Sequence, residues 1–294
     1  MTTAAASKLA LGTAQFGLRY GISNKTGQVP RSEIKSMLQL ALDNHMDTID
    51  TAIAYGESET CLGDVGTAGF KIVTKLPAVP DDCADVGVWI RNQFRSSLSK
   101  LGVTSAYGVL LHRPDQLLGP NGVVLYKSLL SLKETGKVQK VGVSIYSPNE
   151  LADLSSKYRF DLVQAPFNLV DRRMHSTGWL QRLKNSGVEL HTRSTFLQGL
   201  LLLSQNERPA KFAPWRELWN KWSRWLEHSC YSPVEACLAF PLSFPEIDRV
   251  LVGADSHEHL AQIIKAANNH SITMLPDLQC TDEDLINPGN WSKL

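Results

Sequence analysis

The sequence predicts a single-domain (β/α)8 barrel over residues 1–294, and three observations carry that prediction. Short apolar runs alternate with longer stretches of helical period, eight strand-like runs can be counted, and no linker or low-complexity tract divides the 294 residues. A chain of this length is ordinary for one α/β barrel, which takes about 250 residues plus insertions. The same alternation suits an open doubly wound sheet, but eight repeats without a change in composition favour closure.

The expected strands are Leu9–Thr13, Thr48–Thr51, Lys71–Lys75, Gly108–Leu111, Lys140–Ser144, Leu162–Ala165, Val188–Thr192 and Val250–Gly253. They are apolar without strict alternation, as strands covered on both faces should be. Between them, Ser32 to Asn44 opens on Ser32 as a capping residue and places Ile34, Met37, Leu38, Ala41 and Leu42 on one face. Val88 to Leu101 stops at Gly102, and Val123 to Thr135 stops at Gly136. Ser147-Pro148 opens a further helix, with proline where its missing N–H costs nothing. Met174 to Asn185 stops at Gly187, and Ser256 to Ala267 follows the last strand. One stretch breaks the rhythm, a tryptophan-rich insertion at about residues 204–230. There Trp215, Trp219, Trp222 and Trp225 recur at helical intervals. They form either a packing stripe or a lid, because the loops that follow barrel strands surround the catalytic mouth.

Composition narrows the function. Hydrophobic residues make up 43%, enough for a large core, and the formal net charge of +1 gives no basic stripe for nucleic acid. No stretch of about 18 apolar residues is present, and Met1–Ser7 does not read as a signal peptide. The five cysteines, Cys61, Cys83, Cys230, Cys237 and Cys280, have no CxxC pair. They suggest a reducing compartment, the cytoplasm, rather than a disulfide frame, and no zinc site. His257-Glu258-His259 lacks zinc-motif spacing as well. The acceptor-like triplets at Asn24, Asn269 and Asn290 read as chance matches without export. No GxGxxG follows the first strand and no GKS or GKT occurs, which argues against a Rossmann dehydrogenase or a nucleoside triphosphatase.

A barrel carries its chemistry at the C-terminal ends of its strands. Three successive strands end there in ionisable groups: Asp50, Lys75 and His112, with Tyr55 just beyond the first. A carbonyl that accepts a hydride needs a proton on its oxygen. A tyrosine can give it, although its ordinary pKa near 10 is high. A neighbouring ammonium stabilises the phenolate, a carboxylate holds the ammonium, and a histidine orients the carbonyl oxygen. Taken singly, Asp50 and Lys75 are as readily a structural ion pair, Tyr55 a packed aromatic and His112 a structural histidine. At three neighbouring strand ends together, coincidence is a poor account.

Asp50-Thr51-Ala52-x-x-Tyr55-Gly56, Lys75 in Val-Thr-Lys, and His112 in Leu-His-x-Pro-Asp resemble the signatures of the aldo-keto reductase family, and the resemblance runs over nearly the whole chain. It implies Tyr55 as general acid, Lys75 and Asp50 as its tuning pair and His112 as orienting group. It also implies a nicotinamide cofactor and a small-molecule carbonyl substrate. By the same resemblance Gly12 and Thr13 form the turn after strand one, while Asp50, Ser144 and Gln164 face the nicotinamide. Asn168 follows in Pro-Phe-Asn-Leu. Ser194, Phe196, Gln198 and Gly199 belong to a pyrophosphate loop, and Gly253, Asp255, His259 and Gln262 to the adenosine-binding turn and helix start. Three positions depart from the family pattern. Ile145 replaces an amide-binding asparagine, and Arg193, itself implied as cofactor-binding, stands where many members stack an aromatic ring on the nicotinamide, as a guanidinium plane can also do. Asp255 stands where NADP-using members place Arg or Lys, with His259 and Lys265 as partial compensation. Family habit implies NADP(H), whereas Asp255 would repel a 2′-phosphate and admits NAD(H). A redox-sensing protein of the same fold with little turnover is the alternative function. A barrel enzyme of unrelated chemistry, such as an isomerase, needs no nicotinamide. Phe16, Tyr20, Tyr146 and the tryptophan segment are candidates for an aromatic substrate wall.

Overall fold

The computed structural model describes residues 5–269 and 274–294. Part of the Asn269 triplet, and the start of the N-terminal stretch, lie outside the described residues. Eight strands close a parallel barrel in sequence order: β1 (Leu9–Gly12), β2 (Thr48–Asp50), β3 (Lys71–Leu76), β4 (Ala106–Leu111), β5 (Val138–Ser144), β6 (Leu162–Pro166), β7 (Glu189–Arg193) and β8 (Arg249–Gly253). Each expected strand is present, with ends shifted by one or two residues.

The helices hold the strands from outside. Arg31–Asp43 buries Ile34, Met37, Leu38 and Ala41. It begins one residue before the expected cap, with Pro30 at the N-cap and no side chain bonding there, so Ser32 is not its cap. Val86–Leu101 starts earlier than read because Asp85 takes the N-cap and accepts from the Val88 N–H at 2.9 Å. Pro148–Lys157 carries the capping box of Ser147 and Glu150. The expected helix from Met174 to Asn185 is two pieces, Arg173–Ser176 and Trp179–Asn185. The break falls at Gly178, whose φ of 75° lies in the left-handed region that a helix interior does not use. His257–Asn268 follows β8, capped by Ser256. Two barrel helices, Ser58–Val65 and Pro233–Leu242, were not expected from periodicity.

Between the strands and helices lies one large apolar layer, including Leu9, Leu11, Ile49, Val109, Val143 and Leu190. Inside the barrel a small cluster of Val73, Leu110 and Leu162 fills the middle, with Tyr107 packed beneath. This plug separates the two ends of the barrel and leaves the upper end free to be polar. After β7, Arg216–Ser229 forms the tryptophan helix. Trp219 and Trp222 are buried, and Trp225 stacks on Trp222 at 5.7 Å. The indole N–H groups of Trp219 and Trp222 donate to the Phe212 and Leu201 carbonyls.

Candidate active site

Strand register brings the chemistry together. Gly12 pairs with Asp50 on one side and Gly253 on the other, Lys75 with Leu110, Ser144 with Gln164, and Pro166 with Arg193. Gly12, Asp50, Ser144, Gln164, Arg193 and Gly253 from these pairs line one opening, and Lys75 lies just behind it.

Lys75 is fully buried, and its ammonium donates to Asp50 Oδ1 at 2.5 Å and to the Thr51 carbonyl at 3.1 Å. The other Asp50 oxygen accepts from Gln164 Nε2 at 2.7 Å. Both oxygens of the carboxylate are therefore committed. Burial draws the Lys75 ammonium below its ordinary range, against the opposing pull of Asp50. The ammonium lies 5.1 Å from the centre of the Tyr55 ring, and the Tyr55 and His112 rings meet edge to face at 5.9 Å. The four groups anticipated from the sequence are thus neighbours.

Their protonation differs from the expectation in one respect. The phenol of Tyr55 is pushed up rather than down, first by burial and then by the Asp50 charge, with Arg193 opposing. Tyr55 holds its proton firmly. His112 is lowered to about 4, first by burial and then by the charges of Lys75 and Arg193. It is a neutral imidazole at pH 7.

Tyr55 is placed by two crossing loops. A side-chain carbon on Gly17 would sit 1.8 Å from the Tyr55 carbonyl oxygen, so only glycine permits the approach. Beneath it, Ser58 Oγ donates to the Thr13 carbonyl at 2.9 Å and lies 3.1 Å from Thr51 Oγ1. Thr13 Oγ1 donates to the Asp50 carbonyl at 3.0 Å. This hydroxyl cluster ties the loops after β1 and β2 to each other.

The opening is a cleft of about 620 Å³. Tyr55, His112 and Asp50 line it, and so do all the positions expected to hold a dinucleotide: Gly12, Thr13, Asp50, Ser144, Gln164, Arg193, Ser194, Phe196, Gln198, Gly199, Gly253, Asp255, His259 and Gln262. Lys75 lies behind this wall. Phe16 is fully buried and does not belong to the lining, whereas Tyr20 and Tyr146 do. None of the four tryptophans lines the cleft among the described residues. Asn168 serves from behind: its amide donates to the Ser194 carbonyl at 3.0 Å and accepts from the Val170 and Asp171 N–H groups.

Sequence reasoning missed several lining residues: Gln15, Gly21, Ser23, Val234 and, from the C-terminal segment, Pro288 and Gly289. It also missed a polar strap. Asn24, nearly fully buried after β1, donates to Asp255 Oδ1 at 3.1 Å and thereby links the loops after β1 and β8. Lys265 does not line the cleft; its charge acts on Glu235 instead.

The donor set suits a nicotinamide dinucleotide. Hydroxyl and amide groups (Ser144, Gln164) flank the tetrad at one end, and Asp255 faces the other. Between them Ser194, Leu197, Gln198 and Gly199 all hold positive φ, which turns successive backbone N–H groups and can form an anion-holding concavity.

A model of the aldo/keto reductase family matches residues 8–274. The chain is 24% identical over 291 residues to the uncharacterized oxidoreductase YqkF of Bacillus subtilis, covering 90% of this chain and 92% of that protein. Among solved structures it resembles the aldo-keto reductase AKR11C1 of Bacillus halodurans in its holo form, with a TM-score of 0.71, 18% identity and coverage of 91% and 88%. It also resembles the protein PA4992 of Pseudomonas aeruginosa, with a TM-score of 0.66, 21% identity and 90% of each chain covered.

Proposed function

The chain belongs to the aldo/keto reductase family, and on that footing we propose that it reduces an aldehyde or ketone to an alcohol with NADH or NADPH, Tyr55 giving the proton. One observation carries the reading: a proton-holding phenol, a neutral imidazole and a buried lysine–aspartate pair meet at a cleft large enough for a dinucleotide.

A dinucleotide held in the cleft would supply the hydride that the carbonyl carbon needs. His112, uncharged, orients the carbonyl oxygen through its ring N–H. Tyr55 delivers its phenolic proton to that oxygen. The negative charge left on the phenolate is offset by the Lys75 ammonium, which Asp50 holds in place and Gln164 braces from the far side. Hydride and proton together convert the carbonyl to an alcohol, and the phenol regains its proton from solvent. Ser144 and Gln164 would hold the carboxamide end of the dinucleotide, and the loop from Ser194 to Gly199 would hold its phosphates.

The test is Tyr55→Phe. Turnover should fall by about 10²–10⁴-fold, the range for loss of a general acid, while dinucleotide affinity measured by fluorescence quenching stays within about threefold of the wild type. Normal turnover in the variant overturns the role of Tyr55. If the wild type binds dinucleotide tightly and reduces nothing across a broad carbonyl panel, the redox-sensing reading replaces this one.

A further inference from the structure

We propose that Arg193 holds an oxyanion of the substrate, so that the preferred substrates are carbonyl compounds that also carry a carboxylate. This rests on the reading of Tyr55 as the acid beside the reacting carbonyl.

The guanidinium is fixed in place. It stacks on the Tyr146 ring at 4.5 Å, donates from one terminal nitrogen to the Ile145 carbonyl at 2.9 Å, and from the other to Ser194 Oγ at 3.3 Å. Of its five N–H groups, these bonds use two. The remaining three belong to a half-buried group that lines the same cleft as Tyr55 and His112.

It has no carboxylate partner among the described residues. Arg172, Arg173 and Arg249 each meet one, namely Asp277, Asp171 with Glu283, and Asp47. Arg208 shares the lack, but it lies outside the cleft against the Trp219 ring. The two carboxylates lining the cleft are already engaged, Asp50 by Lys75 and Gln164 and Asp255 by Asn24. The Lys75 charge is offset by Asp50 at 2.5 Å. Arg193 is therefore the uncompensated permanent charge of the opening. A guanidinium fixed in place gains most from a planar two-oxygen anion, which it can grip with two parallel bonds.

Arg193 lines the same opening as Tyr55 and His112, and that shared lining is the ground for taking the substrate as the source of the anion. The field of Arg193 reaches Tyr55, His112 and Lys75, opposing the upward shift of the phenol and lowering the imidazole.

The experiment compares 4-carboxybenzaldehyde with its neutral isostere 4-formylbenzamide, in the wild type, Arg193→Gln and Arg193→Lys. The wild type should favour the carboxylate in kcat/KM by about 10- to 100-fold, the range for a charge-assisted hydrogen bond, and less so in high salt. Arg193→Gln should erase the preference, mainly through KM, and Arg193→Lys should keep part of it. Because Arg193 is also one of the positions expected to hold the dinucleotide, the two aldehydes are compared at saturating dinucleotide, and its affinity is measured in each variant. Equal handling of the two aldehydes by the wild type overturns the proposal. So does an Arg193→Gln protein that keeps the preference but binds dinucleotide tenfold more weakly, since the guanidinium would then serve the phosphates. Should neither aldehyde turn over, benzoate and benzamide binding to the dinucleotide-loaded protein, read by calorimetry, decides. A benzoate preference lost in Arg193→Gln supports the proposal and equal affinity sinks it. The role of Tyr55 fails separately, by turnover in Tyr55→Phe.

Discussion

The two ends of the barrel use the same kinds of side chain for opposite ends. At the bottom, Glu189 accepts from the Tyr107 hydroxyl at 2.6 Å, bonds His191 Nε2 at 2.7 Å and pairs with Lys140. Beside it Asp47 takes Lys71 at 2.8 Å and Arg249 at 3.0 Å. At the top, a lysine and a carboxylate pair just as closely, yet among the described residues the tyrosine, the histidine and Arg193 around them have no carboxylate of their own. The ionised members of the lower network pair with one another, although His191 Nδ1 is left without a hydrogen bond among the described residues, and that pairing serves the fold. A network that leaves donors facing an opening is prepared for a ligand. Conserving energy at one end and withholding partners at the other is how a single barrel separates stability from chemistry.

The largest test of this contrast swaps lysines for methionine. Lys75→Met should lower kcat by at least about 10²-fold, because the phenolate loses its counter-charge. Lys140→Met should leave kcat within about twofold but cost about 1–3 kcal/mol of stability, read as a lower urea midpoint. If Lys140→Met alters kcat as strongly as Lys75→Met, the two ends are not independent.

Next in size is the far end of the cleft. Asp255 has no cation bonded to it among the described residues, and Asn24 fixes its position. NADH should therefore bind about tenfold more tightly than NADPH in side-by-side fluorescence titrations, and Asp255→Asn should narrow the gap. Tighter binding of NADPH by the wild type would show that the carboxylate turns away from the ribose.

The smallest effect is on pH. His112 is held near 4, whereas an unfolded histidine takes its proton near 6.5. Between those values the unfolded chain binds more protons here, so this site lowers stability as pH falls from 6.5 to 4 and adds no further loss below. In His112→Asn the urea midpoint should fall less steeply over that window. Glu189 acts in the acid range: its hydrogen bonds hold the carboxyl well below the ordinary value, so its contribution is present above about 4.5 and is lost as the pH drops further.

Much of this was legible in the residues. Period and apolar runs located all eight strands, and strand ends located the four grouped side chains, because a barrel converts sequence position into place on a rim. Period failed where a helix has no polar face. Pro233–Leu242 is apolar on nearly every side and contains Pro241, so its one local signal was the Ser232 and Glu235 capping box. It failed also at Gly178, where two short helices share one pattern. The Asn24–Asp255 strap joins residues 231 positions apart, and no local rule reaches that far. The direction of the Tyr55 shift was missed because it depends on how much water the folded cleft removes, which residue type alone does not specify.

The crossing of Gly17 under Tyr55 has a practical corollary for anyone reshaping this mouth. The first and second loops form a single mechanical part, since the backbone of one is the seat of the other. Grafting a foreign first loop that lacks a glycine at that spot would dislodge the acid without touching it. Loop exchange intended to change what enters should therefore move both loops together.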